Sequence, residues 1–251
     1  MKRFEGKTVL VTGASRGIGR SLITYFRSEG AKVAAVSRSE ITDLESDVYS
    51  IISDIGNCAY IEQALIEYNI SIDILINNAG VICYENLDNV SREQIESVFN
   101  TNVISTFLLS QMIAKKMIEE KKKGVIVNTL SFAANIPSVG SGIYAASKAA
   151  LASLTRTMAA EWAPGHIRVN GYSPGVVETD MTLPAIKRNK ESMVNAIALH
   201  KIGSTEQMVK IVGFLASEDS EYMTGVNLDA SGGKFIVQNA EKAWTEEKGD
   251  E

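Results

Sequence analysis

Tyr144 and Lys148 stand four residues apart, which on a helix puts both side chains on one face. A phenol and an ammonium so placed can give a proton to a carbonyl oxygen while hydride arrives at its carbon. An ordinary phenol, with a pKa of about 10, is poorly tuned for that at neutral pH. A neighbouring ammonium favours the phenolate and lowers that value. The pair alone says little, because a chain with this much Tyr and Lys produces one about as often as not by chance. Its company says more. Ser131 follows the apolar run Val125–Thr129, where its hydroxyl can hold the same oxygen. Asn102 lies in the long helical stretch before it.

A second constellation lies near the start. Thr8-Val9-Leu10-Val11 is short, apolar and β-branched, and Thr12-Gly13-Ala14-Ser15-Arg16-Gly17-Ile18-Gly19 follows it. The pattern of Ser21 to Ser28 then predicts a helix, with Gly30 just past its end. Three glycines between a buried strand and a helix let the backbone turn tightly against a pyrophosphate. The helix start adds unpaired N–H groups and partial positive charge. A tight turn with no ligand is the plain alternative.

The second strand, Lys32 to Val36, is followed by Ser37 and Arg38. An acid at its end would bind a ribose 2′-hydroxyl and imply NAD(H). Glu40 is the only acid nearby and is separated from the expected strand by three residues, facing solvent. Arg38 and Arg16 instead can bracket a 2′-phosphate through forked, charge-assisted hydrogen bonds. NADP(H) is therefore expected over NAD(H), with two ordinary surface arginines as the alternative.

Strands and helices must position these groups. Strands are expected at 49–53, 73–76, 125–129, 168–172 and 225–228, with helices at 59–68, 143–162 and, bent or paired, across 91–121. Ser91 with Gln94 resembles a capping box. Alternating strands and helices predict an α/β fold: a single Rossmann-type doubly wound parallel sheet, about seven strands, with helices on both faces. Residues 1–239 are expected to form one dinucleotide-binding domain. Residues 180–202 fit the sheet pattern poorly and read as a substrate lid. Residues 240–251 read as a charged, flexible tail.

Composition narrows the class. The chain has 251 residues, 45% hydrophobic and 22% charged, with a net charge of −5. That balance argues against a nucleic-acid partner. Cys58 and Cys83 fit no disulfide framework, zinc site or CxxC motif, and no metal is expected. The polar N-terminus and the absence of a long apolar run argue against a leader or a membrane partner. A cytoplasmic protein is expected. His166 and His200 read as structural, and Lys121-Lys122-Lys123 as cations suited to a helix end.

Taken together, these motifs resemble the short-chain dehydrogenase/reductase family. Thr12–Gly19 is similar to its cofactor turn and Asn77-Asn78-Ala79-Gly80 to its fourth-strand motif. Ser131, Tyr144 and Lys148, with Asn102, resemble its catalytic set. Pro174-Gly175 with Thr179, and Tyr222–Gly233, resemble its later signatures. The likeness runs from about Gly6 to Gly233.

The resemblance implies roles. Tyr144 would be general acid in reduction, Lys148 would hold the nicotinamide ribose, Ser131 the carbonyl, and Asn102 a relay water. Cofactor contacts would come from Gly13, Ser15, Arg16, Gly17, Ile18 and Gly19, then Ser37 and Arg38. Asp54 and Ile55 would meet adenine and Asn78 the adenosine ribose region, with Ala79 and Gly80 also contacting the cofactor. Tyr144, Lys148, Pro174, Gly175, Val177 and Thr179 would surround the nicotinamide. Thr12 and Asp73 would hold the sheet and adenine pocket together.

The implied activity is NADP(H)-dependent reduction of a small-molecule or thioester ketone to a secondary alcohol. Within the family the pattern is similar to 3-oxoacyl-(acyl-carrier-protein) reductases. Of their carrier-docking basic pair, Lys122 is retained and Gly165 replaces the other. A catalytically silent NADP-binding redox sensor is a further alternative, disfavoured because all four catalytic types are present. A homotetramer is implied. The stripe Leu151, Leu154, Met158 and Trp162 also reads as apolar surface in excess of what one sheet can cover.

Overall fold

Seven parallel strands form one sheet in the order β3-β2-β1-β4-β5-β6-β7. They are β1 (Thr8–Thr12), β2 (Lys32–Ser37), β3 (Val48–Ile52), β4 (Ile74–Asn77), β5 (Gly124–Thr129), β6 (Ile167–Pro174) and β7 (Asn227–Ala230). The computed structural model describes residues 2–245. All five residues of β1 are buried, as an apolar strand covered on both faces requires. Its alternation splits the core. Val9 and Val11 pack with Leu22, Ile23 and Val212 on one face, and Leu10 with Ile113, Met117 and Met158 on the other.

The chain winds outward from β1 to β3, then returns to β4 on the other side of β1. Strand order reverses there, and the diverging crossovers open a crevice at the carboxyl ends of β1 and β4. Helices α1 (Gly17–Ser28), α2 (Cys58–Glu67), α3 (Arg92–Phe99), α4 (Thr106–Glu119) and α5 (Gly142–Trp162) follow in chain order. After β6 come α6 (Leu183–Asn195), α7 (Thr205–Ala216) and, after β7, the single turn α8 (Lys242–Thr245).

Local chemistry explains several boundaries. Ser91 and Gln94 complete the expected capping box of α3, and Ser204 with Gln207 does the same for α7. Between α3 and α4 the helix widens into a π segment, Asn100–Ser105, so the expected bent stretch is one helical path. Such segments mark functional positions more often than chance. The last strand starts two residues later than expected. Gly225 has φ +76, a left-handed turn that an extended strand does not contain.

The stretch read as a lid contains α6, broken at Asn189, where φ is −138 and ψ is 33. At the carboxyl end, Trp244 stacks on His200 with ring centroids 4.9 Å apart. Its Nε1 donates to the Ala198 carbonyl at 3.1 Å. The first residues of the expected tail thus rest on the end of the lid, while residues 246–251 lie outside the described residues.

One expectation needs correction. Leu151 and Met158 are buried within the chain, at 2% exposure each, and Leu154 and Trp162 pack half-buried against the core, so α5 spends most of its apolar stripe within its own chain. Among the exposed large apolar residues, Ile104 in the π segment and Leu108 and Ile118 on α4 fall on the helical path before β5. Among the described residues no helix is long and apolar enough to cross a membrane, and no cluster could hold a metal ion.

Candidate active site

A cleft of about 660 Å³ opens at the carboxyl edge of the sheet, across the point where strand order reverses. Its floor at one end is the glycine turn. Gly13 has φ +62, and a Cβ there would stand 2.7 Å from the Ala79 Cα. The turn after β1 and the turn after β4 therefore touch backbone to backbone. Thr12 ties them: its Oγ1 accepts from the N–H groups of Asn78 and Ala79, both at 3.0 Å. The Asn78 amide donates back to the carbonyls of Thr12 and Gly13 at 3.1 and 3.2 Å.

Gly13, Ser15, Arg16, Gly17 and Ile18 line this end of the cleft. Gly19 does not line it; it lets α1 close on the turn, since a Cβ there would meet the Gly13 carbonyl oxygen at 2.1 Å. Ser37, Arg38, Asp54 and Ile55 form the outer wall. Asp54 fixes its own loop, its Oδ1 accepting from the Gly56 N–H at 2.8 Å. Among the described residues neither Arg16 nor Arg38 has an acidic partner. Glu40 is exposed as expected, but it borders the cleft beside Arg38.

Asp73 has no part in an adenine pocket. It precedes the first residue of β4, at the opposite edge of the sheet. There its Oδ2 accepts from the Thr8 N–H at 2.8 Å, and its Oδ1 pairs with Lys122 at 3.1 Å.

The other end of the cleft carries the groups expected to handle the proton. Asn78, Ala79, Gly80, Ser131, Tyr144 and Lys148 face Pro174, Gly175, Val177 and Thr179 across it. Tyr144 and Lys148 lie one turn apart on α5, and Lys148 is buried at 3% exposure. Its Nζ donates to the Thr129 carbonyl at 2.7 Å and lies 5.8 Å from the centroid of the Tyr144 ring. Burial pushes the Lys148 ammonium down to about 8. Burial also pushes the Tyr144 phenol up, against a smaller lowering by hydrogen bonding with Ser131. The expected lowering of Tyr144 by Lys148 is thus not what dominates: desolvation outweighs it, and the ammonium is drawn to the end of β5.

Asn102 is fully buried one layer behind the wall. Its Oδ1 accepts from the Val81 N–H at 2.9 Å, and its Nδ2 donates to the Val81 carbonyl at 2.9 Å and to Ser147 Oγ at 3.0 Å. Ser147 donates in turn to the Tyr144 carbonyl at 2.7 Å. The π segment that carries Asn102 is thereby bolted to the turn after β4 and to α5. A Cβ at position 80 would lie 3.4 Å from Asn102 Oδ1 and 3.5 Å from Lys148 Nζ, so the backbone of Gly80 runs beside both.

Sequence reasoning missed Thr129, Val81, Ser147 and Thr182. Ser147 had a signal, a small polar residue on the same α5 face as Tyr144. Thr182 hydrogen-bonds to Val177 and Thr179, fixing the loop that leads into α6. A Cβ at Gly17, where φ is +54, would touch the Thr179 methyl at 3.3 Å. The two ends of the cleft therefore share a wall. Cys83, although it follows the turn after β4, is half-buried and does not line the cleft.

Known proteins repeat this arrangement. The family model described as short chain dehydrogenase matches residues 7–190, more than half of the chain. The chain belongs to the short-chain dehydrogenase/reductase family. Its members are oxidoreductases that act on alcohol and ketone groups with a nicotinamide cofactor.

A 3-oxoacyl-(acyl-carrier-protein) reductase of Thermotoga maritima is 32% identical over 246 residues, covering 93% of this chain and 100% of the relative. The L-xylulose reductase of Bos taurus is 34% identical over 239 residues, covering 92% and 97%. Among solved structures, 4-hydroxyisoleucine dehydrogenase complexed with NADH superposes with a TM-score of 0.87 at 30% identity, covering 93% of this chain and 100% of that one.

Proposed function

We propose that this short-chain dehydrogenase/reductase reduces a ketone to a secondary alcohol with NADP(H), using Tyr144 as the proton donor. The observation that carries the reading is the sharing of one cleft by the glycine turn and by Ser131, Tyr144 and Lys148. The residues fit a dinucleotide. The cradle at Gly13 and Gly17 has no room for side chains, and two arginines without acidic partners border it. Such a dinucleotide supplies hydride when bound.

The chain's own groups do the rest. Ser131 holds the substrate carbonyl oxygen. Tyr144 gives its phenolic proton to that oxygen as charge develops on it, and its raised pKa keeps the proton in place at neutral pH until then. Lys148, anchored on Thr129, supplies positive charge beside the phenolate that results. Asn102 and Ser147 position α5 so that both groups face the cleft.

Arg16 and Arg38 favour the 2′-phosphate of NADP(H). NAD(H) is the second reading, favoured by Glu40 at the cleft rim and by the NADH in the solved neighbour.

The substrate reading stays at a small-molecule or thioester ketone. A 3-oxoacyl-(acyl-carrier-protein) substrate is supported by the Thermotoga maritima relative. The docking charge argues the other way: Lys122 is engaged by Asp73 and Gly165 carries none. A homotetramer fits the apolar residues exposed along α4 and its π segment. Oxidation of NADPH and of NADH, followed at 340 nm (~, the reduced nicotinamide band) across cyclic ketones, oxo acids, sugars and β-ketoacyl thioesters, tests the proposal. No turnover of any of them would reject it.

A further inference from the structure

Beyond the four groups proposed to handle the proton, a further cation stands beside the turn that carries Ser131. Lys234 follows Gly232-Gly233 after β7. Its Nζ lies 5.1 Å from the centroid of the Phe132 ring and 4.8 Å from that of Phe235. Phe132 directly follows Ser131. The loop before Lys234 presses on the cleft as well, for a Cβ at Gly175 would meet the Ser231 Cα at 2.7 Å. The backbone of Lys234 also bridges to Ile197, at the end of the lid. Lys234 therefore sits where the Ser131 turn, the Gly175 turn and the lid converge.

Its environment is that of a charge waiting for an anion. Among the described residues no carboxylate pairs with it, and its hydrogen-bonded atom is the backbone N–H, which donates to Ser231 Oγ at 3.0 Å. Partial burial pushes its pKa down, and no charged group counters this. Two rings offset part of the lost hydration through their faces. A half-buried cation gains more from an arriving anion than an exposed one does, because water screens the pair less. One cation between apolar rings matches a monoanion; a dianionic phosphate calls for more than one donor group.

We propose that Lys234, caged by Phe132 and Phe235 beside the Ser131 turn, anchors a carboxylate on the substrate, so that the preferred ketones are oxo acids. This rests on the reductase reading above and narrows its substrate class. The carbonyl would lie at Ser131 and Tyr144, and the carboxylate would reach toward the junction of β7 and the lid.

The test compares acetoacetate and 4-oxopentanoate with their methyl esters, in the wild type, Lys234→Met and Lys234→Arg. The proposal expects kcat/KM of the wild type to favour the acids by about tenfold or more. That ratio should collapse in Lys234→Met and stay within about threefold of wild type in Lys234→Arg, which keeps the charge. A wild-type ratio near one, or one that Lys234→Met leaves unchanged, would overturn it.

A binding arm separates the two readings. With cofactor present, glutarate should raise the melting temperature of the wild type and not that of Lys234→Met. Turnover of no ketone, with glutarate stabilisation that Lys234→Met removes, would sink the reductase reading and bear out the anchor. Normal ketone turnover without acid preference or glutarate stabilisation would do the reverse.

Discussion

Lys148 spans from α5 to the last residue of β5, its Nζ donating to the Thr129 carbonyl at 2.7 Å. The bond satisfies a buried cation with a main-chain acceptor, without a counter-charge. Such an arrangement is costly to fold, and under the proposed mechanism it is useful to keep: a cation without a carboxylate nearby would retain its field for the phenolate left when Tyr144 gives up its proton.

A stability signature follows. Lys148 has a folded pKa near 8 against an ordinary 10.5. Between those values the unfolded chain binds more protons than the folded one, so stability rises with pH across that window. The wild type is expected to gain about 2 kcal/mol between pH 8 and pH 10 relative to Lys148→Met. Urea unfolding of both proteins at the two pH values checks it. Parallel behaviour would mean that the ammonium is not desolvated.

Arg38→Asp is expected to move preference from NADPH toward NADH. The substitution puts an acceptor where a ribose hydroxyl would lie and repels a 2′-phosphate. The NADPH/NADH ratio of kcat/KM should fall by about tenfold or more. A ratio within about twofold of wild type would shift the cofactor reading to Glu40.

Asn102→Ala removes three hydrogen bonds at once, two to Val81 and one to Ser147. It should cost about 2 kcal/mol, lowering Tm by roughly 4–8 °C. It should also depress kcat more than it raises KM, because α5 loses the brace behind Tyr144. A melt and a steady-state titration read both effects. An unchanged Tm would deny the brace.

Gly19→Ala puts a methyl group 2.1 Å from the Gly13 carbonyl oxygen. The atom it meets is backbone and cannot swing aside, so the turn itself must shift. A loss of about 1–3 kcal/mol is expected, with weaker cofactor binding, although Gly19 does not line the cleft. Fluorescence titration with NADPH would show it. Binding at wild-type strength would mean that the helix can back away from the turn.

What the sequence revealed was what periodicity and local chemistry encode. The glycine turn after β1, the capping box at Ser91 and the α5 face shared by Tyr144 and Lys148 depend on residues close in the chain. Groups joined over long separations were harder to read. Asp73 was expected to hold both the sheet and the adenine pocket; it does tie the sheet, binding Thr8 and Lys122 just before β4, but it lies at the edge away from the cleft. Leu151 and Met158 looked surplus because a helical stripe does not say which neighbours will cover it. The start of β7 slipped because Gly225-Val226 reads as extended until the positive φ of Gly225 is known. The balance at Tyr144 was also hidden, since desolvation depends on packing from both sides of the cleft.

The most direct test of the account is Tyr144→Phe, measured for turnover and for cofactor binding together. The ring still packs against the wall, but its proton is gone. NADPH should bind within about threefold of wild type while kcat with the best ketone falls by about a thousandfold or more. A kcat above about a tenth of wild type, with binding intact, would show that another group protonates the substrate.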